Sequence, residues 1–154
     1  ALELEPHDAS LHAALGDALL KCNDPHTALA SYEKSRKLVE DEEAAAAADA
    51  ALRGAESEVS LVPLGLLDAD GTPRTSAAAA AHHGAGVCLI ELRRPVAAMR
   101  RFEEALRLTP LDAGEAAAES RMQLALTLRL QARGDEAEAE LDTAIRLRPA
   151  WEHR

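Results

Sequence analysis

The sequence predicts an all-α chain of antiparallel helix pairs, and three observations carry that prediction. Hydrophobic residues make up 47% of the 154, yet alanine dominates them and Trp, Tyr and Phe occur once each. Side chains this small suit helices packed at short interaxial distance, and alanine has the best helix propensity. Period-two alternation and β-branched runs are scarce, which removes the usual signature of sheets. Finally, a ladder of small residues recurs along the chain. Gly86, Ala98 and Pro110 stand twelve apart, as do Ala125, Ala137 and Pro149, and Gly16 and Ala28 repeat the first step, with Glu40 where a Pro would follow.

The elements follow in order. Residues 1–5 ("ALELE") read as the last turn of a helix that begins upstream, closed by Pro6. A helix over 8–22 comes next; "KCNDPHTA" turns the chain through Asn23-Asp24, and Pro25 starts a helix over 25–40. "DEEAAAAADAALRGAESEV" is helical in composition, over about 42–59, as a fresh helix or a prolongation of the one before it, since no Pro stops it. "SLVPLGLLDADGTPRTS" places two Pro and two Gly between Pro63 and Pro73, which predicts a loop over about 60–75. Helices over 76–92 and 95–108 are joined by "LRRPVAA"; helices over 114–132 and 135–147 are joined by "ARGDEAEA" through Gly134-Asp135. "PAWEHR" at 149–154 reads as the entry to another unit.

The endings "ALRLTP" (105–110) and "AIRLRP" (144–149), with the ladder upstream of each, resemble the tetratricopeptide repeat, whose pattern is W-x2-L-G-x2-Y, then A-x3-F, then P. His12, Leu15, Gly16 and Leu19 match the first helix of one unit, and Ala28, Tyr32 and Ser35 its second. A second unit reads His82, Ala85, Gly86 and Leu89, then Ala98, Phe102, Ala105 and Pro110. A third reads Arg121, Leu124, Ala125 and Leu128, then Ala137, Leu141, Ala144 and Pro149. The opening Trp is absent from all three, and two of the chain's three aromatics stand on the family's aromatic site. The resemblance implies a right-handed solenoid with units at 8–40, 76–110 and 114–149, and a degenerate repeat or insertion at 41–78, close to one repeat of about 34 residues. Since lone repeats bury their faces only against neighbours, it also implies a window within a longer array.

Charge and cysteines bound the partners. The net charge is −10, and it resides in the first half: residues 1–72 carry 15 acids and 5 bases, residues 73–154 twelve of each. That distribution argues against nucleic acid. Cys22 and Cys88 form no metal-type or disulfide-type spacing, which fits a reducing, intracellular compartment. The longest uncharged run, Thr75 to Ile90, is too short to span a bilayer. The chain opens without Met or a signal-peptide pattern, which predicts that the natural N-terminus lies upstream.

Several motifs invite a chemical reading. "LLDADGT" looks like the opening of haloacid-dehalogenase-type phosphatases, in which the first Asp attacks phosphorus. That reading needs a parallel sheet beneath Asp68 and a downstream Lys, and no Lys follows Lys37. The residues after "DADG" lack the ligand spacing of a calcium loop, so Asp68 and Asp70 are assigned to a loop and the phosphatase is kept only as a minor alternative. His82, His83 and Cys88 lack the i, i+4 pairing a metal would want, and no cofactor motif appears. Arg93, Arg94, Arg100, Arg101 and Arg107 alternate with Glu103 and Glu104 as a solvated helix face. In the loop, Leu61, Val62, Leu64, Leu66 and Leu67 need cover, from the chain's own helices or from another protein.

Tetratricopeptide proteins are non-enzymatic scaffolds, so the resemblance implies a concave groove lined by first helices that receives a helical or hydrophobic segment of a partner protein. Carried onto this chain, the groove takes Ala13, Asp17 and Lys21 from the first unit and His83, Val87 and Glu91 from the second. Met122, Gln123, Leu126 and Arg129 come from the third. The family's carboxylate clamp uses Lys and Asn where Ala13 and Asp17 stand, so a chaperone-tail carboxylate is not expected. An architectural spacer, contacting partners through the convex arginine face and the loop, is the alternative.

Overall fold

The computed structural model describes residues 7–53, 74–109 and 113–147, and among them the only regular structure is six α-helices. They are α1 (Ala9–Lys21), α2 (Pro25–Arg53), α3 (Arg74–Glu91), α4 (Pro95–Leu108), α5 (Gly114–Leu130) and α6 (Gly134–Leu147). Local chemistry explains where they start. The Asp8 carboxylate accepts from the backbone N–H of Ser10 at 2.8 Å and of Leu11 at 3.3 Å, capping α1. Asp24 takes the Thr27 N–H at 3.2 Å in the first turn of α2, while Pro95 stands in the first turn of α4 without a side-chain cap. Asp135 and Glu136 place two acids in the first turn of α6, where the helix dipole favours them.

The three turns α1–α2, α3–α4 and α5–α6 share one construction. Asn23, Arg93 and Ala132 each adopt a left-handed φ, at 61°, 59° and 59°. Around each, the N–H of the left-handed residue donates three residues back, Asn23 to Leu20, Arg93 to Ile90 and Ala132 to Arg129. The next N–H donates five back, Asp24 to Leu19, Arg94 to Leu89 and Arg133 to Leu128. This pair of bonds is the Schellman closure, which satisfies carbonyls the helix end would leave open. The last turn bends at Ala132, so Gly134 is the first residue of α6 and not part of the bend as its sequence suggests.

Each helix packs against the next along the chain, and α1 also meets α3 while α3 meets α5. α1 and α2 run antiparallel: Tyr32 on α2 reaches Asp17, and Ser35, three residues later, reaches back to the Ala9 carbonyl at 2.7 Å. Ala28, Ala98, Ala125 and Ala137 are fully buried, so the small-residue ladder does lie inside. What its glycines make room for, however, is aromatic. A Cβ on Gly16 would sit 2.7 Å from the Tyr32 ring, and one on Gly86 would sit 2.6 Å from Phe102. One core cluster forms around Tyr32 with Ala28, Ala81, Ala85 and Cys88; another forms around Phe102 with Leu89, Leu124 and Leu128. Leu29 touches both, which joins them into one interior.

Of the two readings for residues 42–59, the prolongation is observed as far as Arg53: α2 runs on unbroken from Pro25. Packing ends at Val39, and Glu40 to Asp49 are exposed on every side. Alanine propensity, not burial, sustains this overhang, with Ala44 to Ala48 at its centre. The expected loop over 60–75, with Asp68, Asp70 and the aliphatic residues Leu61, Val62, Leu64, Leu66 and Leu67, falls outside the described residues apart from the start of α3.

Ala132 holds a backbone conformation that costs an L-residue about 1–2 kcal/mol, against about 0.4–1 kcal/mol of added chain entropy for glycine. Ala132→Gly is therefore expected to raise stability by about 0.5–1 kcal/mol, read as an increase in Tm by calorimetry. A decrease would contradict the shared turn construction.

Candidate binding cavity

A cavity of about 440 Å³ lies among α1, α3 and α5. α3 supplies one wall through Ala80, His83, Gly84 and Val87, positions three or four apart that share a single helical face. α1 contributes Asp17 and Leu20; α5 contributes Ala116, Glu119 and Ser120. The Tyr32 ring from α2 closes the floor, wedged between α1 and α3: a Cβ on Gly84 would stand 2.3 Å from it, as one on Gly16 would from the other side at 2.7 Å. The lining is mostly small and apolar, and its polar groups are the Asp17 and Glu119 carboxylates, the His83 imidazole and the hydroxyls of Tyr32, Thr109 and Ser120.

The polar groups are held in place. The buried Tyr32 hydroxyl donates to Asp17 Oδ1, and burial together with that carboxylate pushes the phenol far above its ordinary range. His83 Nδ1 and Ser120 Oγ are hydrogen-bonded at 3.0 Å, joining α3 to α5. The same imidazole meets Phe102 edge-on, centroids 5.6 Å apart. Burial holds the His83 pKa below the ordinary 6.5, outweighing the opposing pull of Glu119 and Asp17. His82, on the neighbouring face, is depressed as well, by burial first and then by Arg101 and Arg36. Its Nδ1 has no hydrogen-bond partner among the described residues. Burial pushes the Cys88 thiol up to about 11, leaving it protonated and inert as a nucleophile.

Of the groove positions taken from the resemblance, the structure gathers Asp17, His83 and Val87 at this cavity. Ala13 is half-buried and Lys21 exposed on α1, away from its lining. Glu91 borders a separate depression with Ile90, Arg93, Pro95 and Leu130. On α5 the lining residues are Ala116, Glu119 and Ser120, about one turn earlier than Met122, Gln123, Leu126 and Arg129, which do not line it. Tyr32, on the family's aromatic site by the resemblance, is buried in the core and also lines the cavity. Among the described residues no group of three or more His, Cys, Asp or Glu is placed to hold a metal, and no helix is long and apolar enough to cross a membrane. Compared with known proteins, the chain matches no protein-family model and no curated protein sequence.

Both depressed histidines bind a proton less readily folded than unfolded, so below the ordinary 6.5 the unfolded chain takes up protons that the folded one refuses. Stability is thus full above that pH and falls as pH drops through it. Urea midpoints are expected to decrease from about pH 7.5 to about pH 5.5, and the His82→Gln, His83→Gln double variant is expected to lose most of that slope. An unchanged slope in the double variant would assign the effect to other groups.

Proposed function

We propose that the chain is a segment of a tetratricopeptide-like right-handed solenoid and serves as a non-catalytic scaffold, its concave face receiving a helical or hydrophobic segment of a partner protein. In this reading α1–α2, α3–α4 and α5–α6 are three repeat units. The observation that carries it is the placement of the cavity among the first helices of the three pairs, α1, α3 and α5. The shared Schellman turns, and the Gly16–Tyr32 and Gly86–Phe102 contacts at matching positions of the first two pairs, support it further. A volume of about 440 Å³ falls in the ~300–1,000 Å³ range of sites that enclose small ligands or a few side chains.

A second reading, an architectural spacer bound through its convex side, is favoured by one feature. On α4, Val96 is 55% exposed and borders a shallow depression with Arg94 and Arg100. Site-specific photo-crosslinking in the native host separates the two. A crosslinker replacing exposed Ala80 is expected to trap a partner, and Ala116→Trp, which fills the facing wall, is expected to abolish that adduct while leaving the far-ultraviolet spectrum unchanged. Adducts from position 100 alone would overturn the groove in favour of the spacer.

A further inference from the structure

We propose that the segment received by the α1–α3–α5 cavity carries a lysine or arginine flanked by small aliphatic residues, its cation lying between Asp17 and Glu119. The proposal rests on the reading of this cavity as the partner groove. Its ground is charge complementarity. The two carboxylates enter from α1 and α5, on opposite sides of the α3 wall, and both side chains are exposed at the rim. Both lie near His83, on the α3 face that lines the cavity, and each favours positive charge there. Among the described residues no lysine or arginine lines the cavity, and neither carboxylate is engaged by one. His83 adds no opposing charge, being kept neutral by burial and hydrogen-bonded to Ser120.

The geometry also sets what surrounds the cation. Asp17 is held by the Tyr32 hydroxyl, so one of its oxygens is fixed before any partner arrives. Such preorganisation lowers the ordering cost of binding. Between the carboxylates the walls are Ala80, Gly84, Val87 and Ala116, which accept aliphatic flanks and the methylene stem of a long basic side chain. Because Asp17 and Glu119 stay in contact with water, the charge pair is screened by salt and contributes discrimination more than raw affinity. The net charge of −10 acts in the same direction over longer range, raising the encounter rate of a basic segment.

The test uses the full chain and a degenerate library of capped peptides about twelve residues long, with flanks drawn from Ala, Leu and Val and one central position set to Lys, Arg, Gln or Glu. At low salt the Lys and Arg pools are expected to bind about 5–10-fold tighter than the Gln pool, and tighter still than the Glu pool. The Asp17→Asn, Glu119→Gln double variant keeps an acceptor for the Tyr32 hydroxyl. It is expected to bind all four pools about equally, and about 0.5 M salt is expected to reduce the preference in the native chain. Tight binding of all pools without discrimination would overturn the cationic partner and leave the groove standing. Binding of no pool would overturn both, and a preference that survives the double variant would place the cation elsewhere.

Discussion

The structure turns on one side chain placed where two helices leave no room. The Tyr32 ring fills the space above Gly16 on α1 and above Gly84 on α3, so closely that a single methyl on either glycine would intrude on it. Through this contact α2 is fitted to the helix before it and to the helix after the long segment that separates them in sequence. The hydroxyl at the ring's edge then donates to Asp17, which ties the packing of the interior to the polarity of the cavity. One residue therefore joins the hydrophobic contacts that hold the helices to the charge that the cavity presents.

The rest of the interior follows from the same economy of size. With three large aromatics in the whole chain, close contact depends on alanine and glycine, and dispersion between well-fitted small groups replaces the area that big side chains would bury. Phe102 repeats the Tyr32 arrangement against Gly86, and the His83 ring lies edge-on to it. Two ion pairs cross helix interfaces, where Arg101 reaches Glu33 between α4 and α2 and Arg121 meets Glu140 at 2.6 Å between α5 and α6. Partly exposed pairs of this kind fix register more than they stabilise, each contributing about 0–1 kcal/mol. Among the described residues the part of α2 beyond Val39 takes part in none of the core contacts, and its alanines sustain the helix by propensity rather than by burial.

Much of this was legible beforehand. Helix starts at Pro25, Pro95 and near Gly134 were readable because proline and acid-rich first turns have local causes, and the described helix ends fall within two residues of their expected places except on α2. The left-handed turn residues were not readable, because Arg93 and Ala132 carry no preference for that conformation; the flanking helices impose it. The run after Glu40 left two outcomes open, since alanine favours helix without specifying whether a break precedes it. The cavity was half legible. Asp17, His83 and Val87 were among the positions the resemblance implied, but on α5 a matched pattern gives a face without saying which turn along the helix approaches α3. Ser120 identifies that turn only through its bond to His83. At Gly84, nothing in the neighbouring sequence announced the ring beneath it.

The central claim is that the Tyr32 ring and Gly84 share one tightly filled space, and a double-mutant cycle measures that directly. Gly84→Ala alone sets an overpacking cost of up to about 3 kcal/mol against about 1 kcal/mol of helix-propensity gain. In a Tyr32→Leu background the ring is gone, and the same change should be neutral or favourable. The account predicts a coupling energy of at least about 1 kcal/mol from urea unfolding of the four proteins. Additivity within about 0.3–0.5 kcal/mol would contradict it, because two groups that do not compete for space have nothing to couple them.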